Sequence, residues 1–350
     1  MSKLNLELFE KLLTTPSISG KELHMQKLLI EELKDVDDEV ITHHSYNTIH
    51  VVNKESNIKV MLAAHIDEIG LIIEQVLDNG ICKLSNVGAI KPEMYVGQTV
   101  NVVKFNKNGY EYIPGVIGYN PNYNTGKMSV EDLNLDLGTF SKEETLKLVS
   151  IGDVVIHQDK VTHLKNDLIS SRALDDKIAT FICCEVLKRV KKESKNGVYF
   201  ASTVGEETTG RGSTFATSMV NPTLAIILDV GSSSDVAYRN NFTRDVTLGK
   251  GPMFTVMSNG SEILCNMLKE IAIKNSIPYQ EVVEYSKTWT DFDTIYKQNG
   301  GIPSTLISIP LRYMHSSVEV GSLKDVEYIV DLLVEFIKGL DESVSFDPFK

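Results

Sequence analysis

A chain of 350 residues, 42% apolar and 23% charged, can bury a large core without help from disulfides. A net charge of -12, with no extended basic stripe, speaks against a nucleic-acid ligand. No stretch approaches the roughly 20 apolar residues of a membrane span, and Met1-Ser2-Lys3-Leu4-Asn5-Leu6-Glu7 lacks the basic-then-apolar order of a leader, so a cytoplasmic protein is expected.

Two helices are expected first. Residues 4 to 13 carry apolar side chains at 4, 6, 8, 9, 12 and 13, and a second helix should follow Pro16-Ser17-Ile18-Ser19-Gly20, with Ser19 and Glu22 as a capping box. Residues 39–44 and 48–53 read as short strands. Ile58-Lys59-Val60-Met61-Leu62-Ala63-Ala64 is almost continuously apolar, the pattern of a strand buried on both faces. The signature recurs in Val198-Tyr199-Phe200-Ala201-Ser202-Thr203-Val204, Leu224-Ala225-Ile226-Ile227-Leu228 and Thr305-Leu306-Ile307-Ser308-Ile309. Helical patterns lie at 175–192, 210–219, 260–275, 291–299 and 323–338. Alternating strands and helices predict an α/β fold, a mixed sheet flanked by helices on both faces.

Residues 72–165 break this rhythm with short alternating runs such as 98–104 and 153–157, separated by Gly, Pro and Asn turns. They predict a small β-barrel inserted between the two parts, 1–71 and 166–350, of one catalytic domain. Apolar Val96, Val100, Val102, Val103, Phe105, Tyr110 and Tyr112 exceed what a small barrel would hide, so part of this module should form an interface between chains. Cys82, Cys183, Cys184 and Cys265 show no CxxC pairing and read as reduced thiols.

Ligands of open α/β sheets gather at the carboxyl ends of strands. After Ala64 comes His65-Ile66-Asp67-Glu68, after Val204 comes Gly205-Glu206-Glu207, and after Leu228 comes Asp229. Six residues beyond Ile309 stands His315, and Asp175-Asp176-Lys177 opens a helix. Each motif alone has an ordinary structural reading: a satisfied histidine, a solvated glutamate turn, an aspartate cap. Their recurrence at successive strand ends points instead to divalent ions. Imidazoles and carboxylates without thiolate suit zinc or cobalt, with manganese as a further option.

Two dications bring four positive charges, and Asp175, Glu207 and Asp229 reduce the sum to one, which leaves room for one hydroxide. A water bridging ions about 3.5 to 4 Å apart would ionise near neutral pH. Asp175 is expected to be shared, with His65 and Asp229 completing one ion's set and Glu207 and His315 the other. Glu206 remains as general base and acid. Asp67, two residues along an extended segment from His65, should accept the second ring N–H through its carboxylate. His24, His43, His44, His50, His157 and His163 are read as structural.

These segments resemble the metallopeptidase family that includes the glutamyl, deblocking and tetrahedral aminopeptidases. The resemblance is carried by Ala64-His65-Ile66-Asp67-Glu68-Ile69-Gly70, Ser171-Arg172-Ala173-Leu174-Asp175-Asp176-Lys177, Thr203-Val204-Gly205-Glu206-Glu207, Ala225-Ile226-Ile227-Leu228-Asp229-Val230 and Ile309-Pro310-Leu311-Arg312-Tyr313-Met314-His315-Ser316. Glu131-Asp132-Leu133-Asn134-Leu135-Asp136-Leu137-Gly138 adds a match inside the insert. The resemblance implies a dinuclear-metal exopeptidase-like fold and the ion ligands assigned above, with Glu206 as the catalytic carboxylate. It also implies short peptides with a free N-terminus as substrates, and dimers that assemble into a tetrahedral homo-dodecamer. Gly205, Thr208-Thr209, Ser232-Ser233-Ser234-Asp235 and Phe292 depart from the family's usual residues and are expected to border the substrate cleft. The competing readings are a related two-metal amidohydrolase or deacylase, and a non-catalytic binding scaffold.

Overall fold

The computed structural model describes residues 4–120, 128–237 and 245–350; Met1, Ser2 and Lys3, read above as part of the leader test, lie outside them. The chain opens with α1 (Leu6–Thr14), capped by the Asn5 side chain accepting from the Leu8 N–H at 3.2 Å, and α2 (Leu23–Leu33). Strands β1 (Glu39–Thr42), β2 (Thr48–Val52) and β3 (Lys59–His65) follow. Then come β4 (Gly70–Val76), β5 (Cys82–Val87), β6 (Thr99–Phe105), β7 (Tyr110–Tyr119), β8 (Leu133–Asp136), α3 (Lys142–Leu148) and β9 (Val154–His157). The remainder runs β10 (Thr162–His163), β11 (Leu168–Ser171), α4 (Leu174–Glu193), β12 (Gly197–Thr203), α5 (Arg211–Val220) and β13 (Leu224–Ser232). It ends with β14 (Met253–Val256), α6 (Glu262–Lys274), β15 (Gln280–Val283), α7 (Phe292–Ile295), β16 (Ser304–Leu311), β17 (Glu319–Ser322) and α8 (Leu323–Gly339).

The predicted mixed α/β architecture is what the chain adopts. Eight strands form one sheet in the order β1-β2-β12-β3-β13-β16-β14-β15, whose centre, β12-β3-β13-β16, is parallel throughout. Side chains alternate across it: Val60, Leu62 and Ala64 face the layer of α1, α2, α4, α6 and α8, while Met61 and Ala63 face α5 and α7. Burial on both faces explains why these strands read as unbroken apolar runs. Phe9 of α1 stacks on Phe181 of α4 with ring centroids 4.6 Å apart, fixing the N-terminal helix against the most buried one.

Between β3 and α4, six strands close a barrel in the order β4-β5-β8-β7-β6-β9. Val100 and Val102 fill its core, and Val103 packs with Ile18, Val154 and Ile156, where half-buried Phe105, Tyr110 and Tyr112 join them. Most apolar residues singled out as interface candidates are therefore spent inside the barrel or on its seam with the segment between α1 and α2. Among the described residues, the exposed large apolar side chains of this region are others: Met94, Val116, Tyr119, Phe140, Leu146, Leu148, Ile151 and Leu164.

Two local expectations fail for identifiable reasons. The Ser19–Glu22 capping box does not form, because the Ser19 hydroxyl donates to the Asp67 carboxylate and α2 starts only at Leu23. The helix expected over 291–299 stops at Ile295 and resumes as a 3-10 turn, Gln298–Gly300, since Asn299 and Gly300 take φ of 51° and 83°. The insert holds one short α-helix, α3, which the Ser141 side chain caps by accepting from the Glu144 N–H.

Candidate active site

The parallel strands set the geometry. Thr203 at the end of β12 lies opposite His65 at the end of β3, and β3 in turn pairs with β13, which carries Asp229 two residues beyond the Ile227–Ala63 pair. Asp229 stands opposite Ser308 of β16, and the chain leaving β16 delivers His315. Asp175 opens α4, although its own backbone and that of Asp176 are still non-helical. The carboxyl ends of the central strands and the start of α4 thus bring together all five side chains expected to bind ions.

Within that cluster His65 Nε2 lies 3.2 Å from Asp175 Oδ1 and 4.0 Å from Asp229 Oδ1. His315 Nε2 lies 3.3 Å from the other oxygen, Asp175 Oδ2, and 3.8 Å from Glu207 Oε1. Two groups of donors result, His65, Asp175 and Asp229, and Asp175, Glu207 and His315, each with its ligand atoms within 4.8 Å of one another. Both imidazoles are oriented from behind. His65 Nδ1 is 3.0 Å from the Asp67 backbone oxygen and His315 Nδ1 is 3.0 Å from that of Ala89. A carbonyl can only accept, so each Nδ1 carries a proton and each ring turns its Nε2 toward the carboxylates.

Two acceptors facing each other at such distances need a cation or a proton between them, and the electrostatics show the same deficit. Burial, with the nearby Asp229 and Asp291 outweighing His65, pushes the Glu206 carboxyl up to about 9; burial and Asp175 push Asp229 to about 8 despite His65. Burial and the Asp175 charge carry Glu207 well above the carboxylate range. For His65 burial favours the neutral ring, but Asp175, Glu206 and Asp229 override it and raise its pKa strongly. Burial opposes ionisation of Asp175 as well, yet His315 and His65 hold it below its ordinary value. Both oxygens of fully buried Asp176 lack a hydrogen-bond partner. Positive charge at the two donor groups would resolve this crowding, so the donors fit a pair of divalent ions in chemistry and spacing.

Asp67 is close to the site but is used differently from the expectation. Its carboxylate stops 3.7 Å from His65 Nδ1, and the ring is held by the backbone carbonyl instead. Oδ1 accepts from the Glu206 N–H at 3.1 Å and Oδ2 from the Glu207 N–H at 3.2 Å, so Asp67 clamps the turn bearing both glutamates. Behind it, buried Glu68 takes contacts from Arg172 and, at 2.8 Å, from Lys177 Nζ, which anchors the start of α4 to the end of β3. Burial opposes its charge, but the two cations hold Glu68 down at about 2.

The site opens into a cleft of about 810 Å³. Thr208, Thr209 and Ser232 line it as expected, together with Trp289, Thr290 and Met314. Gly205 and Phe292 do not: Gly205 (φ 68°) sits against the Arg211 guanidinium, and Phe292 is buried in the core beneath α5. Ser233 and Ser234 are buried as well, and Asp235 pairs with Arg312. The sequence reading missed Glu319, whose carboxylate accepts from the backbone N–H groups of Asp175 and His315.

The fold is of the mixed α/β class, and its candidate site is built from imidazoles and carboxylates. Residues 47–332 match the family model described as M42 glutamyl aminopeptidase. A putative aminopeptidase of Acetivibrio thermocellus is 35% identical over 95% of this chain and 98% of its own. The crystal structure of a TET aminopeptidase from the marine sediment archaeon Thaumarchaeota archaeon SCGC AB-539-E09 superposes with a TM-score of 0.88 at 27% identity, over 96% and 97% of the two chains. The TET1 peptidase of Pyrococcus horikoshii, which can assemble into a tetrahedron or a large octahedral shell, gives 0.83 at 30% identity over 96% and 99%. The chain belongs to the M42 glutamyl aminopeptidase family and is a peptide-bond hydrolase.

Proposed function

We propose that the protein is a two-ion aminopeptidase that removes N-terminal residues from short peptides. The observation that carries this reading is the division of Asp175, one oxygen toward His65 at 3.2 Å and the other toward His315 at 3.3 Å, the arrangement of a carboxylate shared by two cations. His65 and Asp229 complete one set and Glu207 and His315 the other; zinc or cobalt suits these donors best, with manganese as a further option. When bound, the ions supply Lewis-acid polarisation of the scissile carbonyl.

Glu206 belongs to neither donor group but lines the cleft, with Oε2 3.9 Å from His65 Nε2. It takes a proton from the attacking water as the new C–O bond forms and returns it to the amine nitrogen as the C–N bond breaks, so the pair of steps is proton-neutral. Asp67 holds the backbone of the glutamate turn in place for this transfer. A deacylase would share the chemistry but prefer a blocked amine. Hydrolysis of aminoacyl anilides against their N-acetylated forms, assayed with zinc, cobalt and manganese, tests the reading, and preference for the acetylated compounds would overturn it.

The 72–165 module supports assembly. Its exposed Phe140, Leu146, Leu148 and Ile151 offer apolar surface that a second chain would cover, and the P. horikoshii relative can assemble into a tetrahedron or a large octahedral shell. A homo-dodecamer built from dimers, admitting peptides and sparing folded proteins, is the assembly proposed, with light scattering as its test; a persistent active monomer would refute it. Four free cysteines and the net negative charge suit a cytoplasmic address.

A further inference from the structure

We infer that Glu319 is the positioning residue of the Asp175, Glu207 and His315 ion group and has no such role for His65 and Asp229; the inference rests on the two-ion reading above. Glu319 is 2% exposed and is a member of neither donor group. Its two oxygens are split between Asp175, which both groups share, and His315, which belongs to this group alone. Oε2 accepts from the Asp175 N–H at 3.1 Å and Oε1 from the His315 N–H at 2.8 Å. Among the described residues, no hydrogen bond joins it to His65 or Asp229.

The backbone around Glu319 makes this clamp specific. Glu319 opens β17, where pairing with β11 sets it opposite Ser171, at the entry to the segment that presents Asp175. One residue on, Val320 and Arg312 exchange hydrogen bonds of 2.9 and 3.0 Å, closing the neck of the loop that carries His315. Inside this loop Tyr313 and His315 have φ of 61° and 63°, a left-handed conformation that L residues hold only with outside support. The bond from His315 N–H to Glu319 supplies that support, and the Ala89 carbonyl then fixes the ring. A single buried carboxylate therefore sets the spacing of two backbones whose side-chain donors, His315 Nε2 and Asp175 Oδ2, stand 3.3 Å apart.

Glu319→Gln keeps the side-chain volume but leaves one acceptor oxygen for two N–H groups, while Glu319→Asp keeps both oxygens and shortens the reach. Stepwise calorimetric titration of the metal-free protein with zinc chloride, backed by elemental analysis, separates the two ions. In either variant one binding step should weaken by about 10- to 100-fold and the other distinctly less, because only Asp175 is common to both, and excess zinc should restore turnover. Two backgrounds assign the affected step. With Asp229→Asn, which cripples the His65 ion, adding Glu319→Gln should weaken the step that remains by about 10- to 100-fold; with Glu207→Gln the remaining step, which shares only Asp175 with the clamp, should weaken distinctly less. Equal weakening of both steps, no weakening of either, or loss of the fold in both variants at saturating zinc would overturn the role assigned to Glu319. A wild-type protein that binds a single ion would overturn the two-ion reading and this inference with it, a result distinct from the others.

Discussion

Replacing Asp67 by Asn tests how the turn carrying the two glutamates is held. Asp67 is fully buried, and its two oxygens accept from the Glu206 N–H, the Glu207 N–H and the Ser19 hydroxyl. Asparagine offers one oxygen and an amide that can only donate, so one backbone N–H loses its acceptor however the side chain turns. A buried donor left in that state costs about 1 to 3 kcal/mol. The denaturation midpoint should fall accordingly with the slope of the transition unchanged. Because the freed N–H belongs to Glu206 or Glu207, turnover or ion affinity should fall about 10- to 100-fold, less than on loss of a direct ligand. Urea titration monitored by circular dichroism, zinc titration and anilide kinetics on one preparation measure all three quantities. Unchanged stability together with unchanged ion affinity and turnover would refute the clamp and reduce Asp67 to an ordinary turn residue.

Glu206→Gln should lower turnover by about 10²- to 10⁴-fold while both ions stay bound, since the proton acceptor is lost and the shape kept. Elemental analysis of that variant beside Glu207→Gln checks the assignment, because ion loss in the first and retention in the second would exchange the two roles. Chelation should abolish activity and lower the melting temperature, as ligands bound only by the folded state stabilise it by mass action; a calorimetric scan with and without chelator reads this, and an active apoprotein would contradict it. Acid should also destabilise the fold through Glu68. Its carboxyl is held at about 2 against an ordinary 4.5, so its contribution is complete above pH 4.5 and is lost as pH falls toward 2. The difference is worth about 3 kcal/mol. Midpoints measured from pH 6 to 2 should show a steeper acid loss in the wild type than in Glu68→Gln, which would itself be less stable throughout by about 3 to 5 kcal/mol because Arg172 and Lys177 lose their partner.

The central strands were legible because two helical layers cover them. A strand buried on both faces cannot alternate, and β3, β12, β13 and β16 all announce themselves as apolar runs. The outer strands β14 and β15 carry no such signal. Each has four residues, Val256 and Val283 are exposed, and neither a continuous run nor a sustained alternation survives over so short a length. The capping misreading at Ser19 has another cause. Local spacing offered Glu22 as a partner, whereas the fold supplied Asp67 from 48 residues away, and a long-range acceptor is invisible to a window of four residues.

The same boundary between local and long-range information runs through the site. Ion-ligand candidates could be read because strand ends converge wherever a parallel sheet forms, so proximity in space follows from position along each strand. Asp67 was assigned the right neighbourhood and the wrong bond. The expectation extended the strand's two-residue period past His65, but β3 ends there, and once the chain leaves the extended state the Asp67 carbonyl, not its side chain, faces the ring. Glu319 gave no signal, since four residues after His315 it reads as part of an exposed turn. Its function exists only because β17 pairs with β11, which brings a carboxylate from the end of one loop to the backbone of two ligands. Residues that would touch the ions follow the ends of buried strands or, for Asp175, open a helix; residues that hold those ligands in place depend on pairings between distant segments, and only the three-dimensional structure exposes them.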